Sequence, residues 1–184
     1  MTRSRAGRPV KVVFWAGSFE RAGTQRFLVE LLTRIDRGAF EPVVFSTLRR
    51  GELLPVIESL GVPVLEFGTG TSAASPATLA GLSAAAAYLR RERVAVLNCM
   101  LGIITLFGPF VGRAAGVPVV VNHQRNAAYW IRGASRERVY GFVGRKVVDA
   151  VAVNSAAARD ELASRFRVPA GKIVDVGAGI DVER

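Results

Sequence analysis

Seven short, mostly apolar runs punctuate the chain, at residues 12–15, 42–47, 62–67, 94–97, 117–121, 150–153 and 172–176, and stretches with apolar residues at helical spacing separate them. Within the runs the apolar residues are consecutive rather than alternating. A strand needs that only when both of its faces are covered, the condition of a parallel sheet with helices above and below it. Strand–helix alternation along the whole chain therefore predicts the α/β class: a doubly wound, mostly parallel sheet of about seven strands, with helices on both faces and right-handed crossovers. With 184 residues, 50% of them hydrophobic, the chain can bury such a core. Residues 1–9 are expected to form a flexible basic tail, and residues 10–184 the domain.

The first unit, residues 11–35, sets the pattern. Val12, Val13, Phe14 and Trp15 make the strand, and Phe27, Leu28, Leu31, Leu32 and Ile35 fall on one face of the following helix. Between them lies a loop with Gly17 and Gly23. In open α/β sheets ligands bind beyond the carboxyl ends of the strands, and backbone N–H groups at a helix start can face a phosphate or a sugar. Gly17, Gly23 and Thr24 are thus candidate substrate-binding residues. The loop is not a Walker A sequence, since Thr24-Gln25 follows Gly23 where a Lys-Ser/Thr pair would stand, and it is not GxGxxG. A plain turn, with glycine supplying unusual dihedrals, is the competing reading.

Further helices are expected over residues 52–60, 77–93, 103–115, 134–148 and 155–166, with Gly61 as a C-terminal cap and Ser155 as an N-cap. Pro63 puts the start of the third strand at an edge. Residues 94–112 carry no charge and follow the basic stretch at 90–93, which could read as a membrane span. Asn98, Cys99, Gly102 and Pro109 interrupt that run, and its β-branched start fits a strand followed by a buried helix.

The formal net charge is +10, from 25 basic and 15 acidic residues, which points to acidic partners: nucleic acid, anionic lipid or phosphorylated small molecules. The excess is concentrated in Arg3, Arg5, Arg8 and Lys11, and in Arg113, Arg125, Arg132, Arg136, Arg138, Arg145 and Lys146. The basic helix lacks the interleaved aromatics of single-strand binders, so nucleic acid is the unlikely partner and a charged outer face the commoner explanation. One cysteine excludes an intrachain disulfide, and one histidine with one cysteine argues against structural zinc. No metal is expected, and a reducing cytoplasm is the simplest location. The basic start and short apolar run resemble a signal peptide only faintly, because no small-residue cleavage site follows.

The sole histidine, His123, falls just past the predicted fifth strand, in a loop with Arg125 and Asn126. A lone histidine is more often structural than catalytic, yet a strand's carboxyl end is where such sheets bind ligands. No GxSxG context surrounds Ser155, so a hydrolase elbow is unsupported.

Three stretches resemble one family. Gly23-Thr24-Gln25-Arg26 with the helix after it, followed by Phe40-Glu41-Pro42-Val43-Val44, is one. Residues 115–121 ending in His123-Gln124-Arg125-Asn126 are another. The third runs from Asp149 through Asn154-Ser155 to Val168-Pro169-Ala170-Gly171-Lys172-Ile173 and Gly179-Ile180-Asp181. Together they resemble the N-terminal, acceptor-side, Rossmann-like domain of glycosyltransferase family four, which has the GT-B fold. Three departures stand out: the family's paired glycines are Ala22-Gly23 here, the closing Asn is Ala178, and Asn98-Cys99 ends the fourth strand where relatives often have a histidine.

The resemblance implies half of a retaining transferase, which moves a sugar from a nucleotide-sugar donor to a glycan or lipid-linked acceptor without a metal. The donor's nucleotide would be held by a C-terminal domain, with its glutamate pair, that these residues do not include, so this domain alone binds no cofactor. The expected partners are a sugar or lipid-linked acceptor, the C-terminal domain or a complementary subunit, and an anionic membrane surface at the inner face of the membrane. His123 would sit near the transferred sugar as the catalytic-site residue, with Gly17, Gly23, Thr24, Asn98, Arg125 and Asn126 binding substrate. A non-catalytic glycan- or partner-binding module is the alternative.

Overall fold

The structure, a computed structural model, describes residues 7–68, 75–125, 131 and 133–177. In chain order its elements are β1 (Val10–Ala16), α1 (Gly23–Arg34), β2 (Phe40–Ser46), α2 (Leu54–Ser59), β3 (Val64–Glu66), α3 (Pro76–Arg91), β4 (Val96–Cys99), α4 (Ile104–Ala114), β5 (Val119–Gln124), α5 (Ala134–Phe142), β6 (Ala150–Val153), α6 (Ala156–Ser164) and β7 (Ile173–Asp175). The seven strands form one sheet in the order β3-β2-β1-β4-β5-β6-β7, and every neighbouring pair is parallel. The doubly wound parallel sheet predicted from the apolar runs is the observed fold.

The continuous run in β1 has the expected cause. Val12, Phe14 and Ala16 enter one core with Leu28 and Leu32 of α1 and Ile57 of α2. Val13 and Trp15 enter the other with Leu89 of α3 and Ile104 and Leu106 of α4. The strand order reverses between β1 and β4, and in sheets of this kind the ligand crevice lies at that switch point, beyond the carboxyl ends of the two strands.

Local chemistry sets several boundaries. Ser75 and Ser155 cap α3 and α6, their hydroxyls accepting from the N–H groups of Thr78 at 3.1 Å and Ala158 at 3.2 Å. Gly61, with φ of +68°, follows the end of α2 as expected. The edge strand β3 is three residues, shorter than the apolar run 62–67. The carbonyl of Pro63 accepts from Val44 N–H at 2.9 Å just before β3 begins, so the N–H that proline lacks falls outside the ladder. Helix α4 presses close to the sheet because Gly108 and Gly112 face it: a Cβ there would lie 2.6 Å from Cys99 Sγ and 2.7 Å from Leu97 Cδ2.

Two expectations are corrected. Strand β5 continues to Gln124, so His123 lies inside a strand and not in a loop, and β4 is Val96–Cys99, two residues later than the expected run 94–97. The basic helix does not run unbroken over 134–148. It ends at Phe142 and passes into a π-helical turn, Val143–Val147, in which Val148 N–H reaches back to the carbonyl of Val143 at 3.1 Å. Lys172 Nζ donates to the carbonyls of Arg145 and Val148 at 3.0 and 2.8 Å, supplying partners at this wider turn. Among the described residues no helix is long and apolar enough to cross a membrane; residues 94–112 are β4 and most of α4.

Candidate functional site

The loop from β1 to α1 is stitched to the loop after β2. The carbonyl of Gly17 accepts from Thr47 N–H at 3.0 Å and Leu48 N–H at 2.8 Å, Phe19 N–H donates to Arg50, and Leu53 N–H donates back to Phe19, each at 2.9 Å. Gly51 makes that close approach possible: its φ is +119°, and a Cβ there would lie 2.2 Å from the Phe19 carbonyl carbon. Phe19 itself is fully buried. The loop is thus a fixed rim of the crevice, and Gly17 takes its contacts from the β2 side of it.

Helix α1 opens at this rim without the usual protection. Its N-cap, Ala22, makes no side-chain cap bond, and its first turn holds no acid. The first helical bond is Arg26 N–H to Ala22 O at 3.0 Å, so the N–H groups of Gly23, Thr24 and Gln25 stand free of the helical ladder. With the helix macrodipole behind them, they form a positive end of the kind that binds anions. A Cβ at either Gly17 or Gly23 would meet no heavy atom within 4 Å. The domain's own packing does not demand glycine at those two positions.

One turn further along α1 lies Phe27, which joins this rim to the strand residues. Its ring centroid is 6.3 Å from that of His123, and the guanidinium carbon of Arg125 lies 3.6 Å from its centroid, a cation–π contact. Sheet register explains the convergence. Asn98 pairs with Phe14 on one side and Val121 on the other, so Asn98, Val121, His123 and Arg125 share the face that α1 covers. On that face His123 Nε2 lies 3.2 Å from Asn98 Oδ1. An amide oxygen only accepts, so the proton is on Nε2 and Nδ1 is left as an acceptor with no partner among the described residues. Burial, helped by the charge of Arg125, pushes the His123 pKa down to about 4. The imidazole is therefore neutral near pH 7 and suited to hydrogen bonding rather than to proton donation from an imidazolium. Burial also lowers the Arg125 pKa.

The opposite face of the same strand ends carries a support. Asn122 Nδ2 donates to the carbonyl of Thr105 at 2.9 Å. Gln124 accepts from Tyr140 Oη at 2.8 Å and donates to Glu161 at 2.9 Å. Glu161 and Glu137 both pair with Arg165, at 2.7 and 2.8 Å, and Arg165 also donates to the carbonyl of Ile131 at 2.9 Å. This network ties the end of β5 to α5 and α6.

Of the residues singled out in the sequence, Asn98, His123 and Arg125 come together under α1, and Gly23 and Thr24 lie on that helix one turn before Phe27. Gly17 lies on the same rim, and Asn126 lies outside the described residues. Sequence reasoning missed Phe27 as a platform, because its spacing reads as core. It also missed Gln25, which is buried and donates to the Ser18 carbonyl at 3.2 Å. A signal for Gln25 existed: it is a polar residue in register with the buried stripe of Leu28 and Leu32. Among the described residues no group of three histidine, cysteine or acidic side chains is placed to hold a metal.

The model of Glycosyltransferase Family 4 matches residues 21–184. No curated protein matches the chain at significance. Among solved structures, Alr3699/HepE of Anabaena in complex with UDP-glucose superposes with a TM-score of 0.76 at 15% identity, covering 94% of this chain and 45% of that one. A glycosyltransferase from Rickettsia africae ESF-5 gives 0.70 at 11% identity, over 92% and 43%. The lipopolysaccharide outer core galactosyltransferase WaaB gives 0.67 at 11% identity, over 91% and 45%. The fold is the Rossmann-like domain of GT-B glycosyltransferases, and the chain spans less than half the length of these structures.

Proposed function

The chain belongs to Glycosyltransferase Family 4, and from that premise we propose that it is the acceptor-side half of a retaining glycosyltransferase that passes a sugar from a nucleotide-sugar donor to a glycan or lipid-linked acceptor. The observation that carries this reading is the rim of the switch-point crevice. There an uncapped, acid-free helix start, two glycines with open space at Cβ, and the neutral His123 pair with Asn98 converge. Transfer breaks the bond between the sugar's anomeric carbon and the diphosphate and forms one to an acceptor oxygen. Negative charge grows on the departing diphosphate, and preorganised donors aimed at that charge lower the barrier most.

In this reading the N–H groups of Gly23 and Thr24 meet the diphosphate, with the guanidinium of Arg125 held over Phe27 as a supporting cation and no metal required. Glycine at 17 and 23 lets the backbone approach the ligand without a side chain between them. The unpartnered Nδ1 of His123 accepts from a sugar hydroxyl, and Asn98 fixes the tautomer that makes this possible. Asn126, next in sequence to Arg125, is assigned to substrate binding as well. The nucleotide is gripped by a C-terminal domain or a complementary subunit, with the site closed between the two halves. Location in the cytoplasm, peripheral to the inner face of the membrane, suits a lipid-linked acceptor.

The test is transfer by the chain combined with a donor-binding GT-B domain, read as release of nucleoside diphosphate and as the anomeric configuration of the product. A retained configuration, lost turnover with His123→Ala and no turnover by either half alone are expected. Unchanged turnover in His123→Ala would remove that residue from the site, and an inverted product would end the retaining assignment. A chain that binds glycans but supports no transfer with any donor domain would be a binding module.

A further inference from the structure

We infer that the outer face of α4 and α5 is a docking surface for an anionic lipid bilayer. This deepens the membrane-facing part of the proposal above and rests on it for biological purpose, though not for its physical argument. The ring of Phe110 on α4 stacks on that of Phe142 on α5, centroids 6.5 Å apart and planes within 12°, yet the two residues are 42% and 48% exposed. A stacked aromatic pair left in water is an unusual use of two phenylalanines in a domain with ample core to receive them. Val139, one turn before Phe142, and Ile103, two turns before Phe110, are also exposed and extend the strip along both helices.

The charges around the strip separate into two kinds. Arg113 pairs with Asp149 and donates to the carbonyl of Val147, Arg145 donates to that of Phe166, and Arg165 pairs with Glu137 and Glu161. Those cations, and the acids beside them, are spent within the domain. Arg138 and Lys146 stand four residues before and four after Phe142, on its side of the helix, and neither has a hydrogen bond or ion pair with another described residue. The face therefore presents phenylalanines flanked by cations whose charge nothing opposes. This is the composition that sits in a headgroup layer, with rings at the acyl boundary and long basic side chains among lipid phosphates.

A protein partner fits less well. Four partly exposed apolar side chains offer on the order of 300 Å², whereas a stable dimer needs about 800 Å² from each partner. A second copy would also bring its own Arg138 and Lys146 against these.

The experiment is vesicle flotation of the protein with phosphatidylglycerol-containing and with pure phosphatidylcholine vesicles, at low and high salt, beside its oligomeric state in solution. Binding to the anionic vesicles alone, weakened by salt, is expected. The double variant Phe110→Ser/Phe142→Ser should lose binding about ten-fold or more, and Arg138→Gln/Lys146→Gln about ten-fold. Arg34→Gln/Arg37→Gln, with the same loss of charge at the C-terminal end of α1 on the other side of the sheet, should bind nearly as the parent does. Circular dichroism confirms that each variant folds. Absence of binding at low salt, or equal loss in the remote pair, overturns the inference. So does a solution dimer that the phenylalanine variant dissolves while vesicle binding persists. Because flotation needs no sugar donor, its outcome is independent of whether the chain supports transfer.

Discussion

His123 Nε2 and Asn98 Oδ1 face each other at 3.2 Å across the β4–β5 boundary, in a pocket that leaves the histidine 8% exposed. The pair fixes the tautomer of the only imidazole in the chain, and burial beside Arg125 keeps it uncharged. Since the folded pKa is near 4 and an unfolded histidine titrates near its ordinary value of about 6.5, the unfolded chain binds more protons between those limits. Stability should therefore be full above pH about 6.5 and fall as pH drops toward 4, by up to about 3 kcal/mol from this group. Urea unfolding against pH, compared with His123→Gln, isolates that slope. The single histidine resonance should stay unshifted from pH 8 to 5, and a midpoint near 6.5 would contradict the burial.

Glycines in this chain divide by what surrounds them, and substitution should separate the groups. Gly108→Ala and Gly112→Ala force a Cβ into Cys99 and Leu97. Each should cost about 1–2 kcal/mol, overpacking outweighing the gain in helix propensity. Gly17→Ala and Gly23→Ala meet open space and should stay within about 0.5 kcal/mol of the parent. If these two glycines admit a ligand's backbone approach, the same changes reduce transfer by the assembled enzyme about ten-fold or more. Denaturant melts and turnover together distinguish the two uses.

Ala22→Asp supplies the cap that α1 lacks. It should stabilise the domain by about 1 kcal/mol, through a side-chain acceptor and a favourable charge at the helix start. The same carboxylate would occupy the place assigned to the donor's diphosphate. Higher melting temperature with abolished transfer is the expected combination, and unimpaired transfer would move the anion site elsewhere.

Tyr140→Phe leaves Gln124 Oε1 without its 2.8 Å donor while keeping the ring packed edge-on against Phe166 at 4.8 Å. The buried carbonyl oxygen then loses its partner, at a cost of about 1–2 kcal/mol measured by urea unfolding.

The sheet was readable in the sequence because continuous apolar runs report coverage on both faces, and all seven runs became strands in one sheet. Strand ends were less readable where polar residues belong to the ladder. Asn122, His123 and Gln124 look like loop chemistry, yet they remain in β5 because Thr105, Asn98, Tyr140 and Glu161, distant in sequence, satisfy them. The π-helical turn was invisible for a similar reason. It sits where Gly144 meets Val168, whose Cγ2 would be 2.6 Å from an added Cβ, and no local spacing encodes that contact. At the site, the sequence named the residues that converge but not the platform, because Phe27 obeys the core period while serving a half-buried junction. Asn126 and the closing Gly179-Ile180-Asp181 lie outside the described residues.

Cys99 lies fully buried beneath α4, on the side of the sheet opposite α1, and burial raises its thiol pKa. With Gly108 seated over it, the sulfur is closed to any aqueous reagent while that helix rests on the strands. As the chain's only cysteine, it gives every labelling event one meaning. The rate at which an added thiol reagent modifies the native protein is a clock for the lifting of α4, and slowing of that clock when ligand or lipid binds would register the tightening of a helix that neither needs to touch.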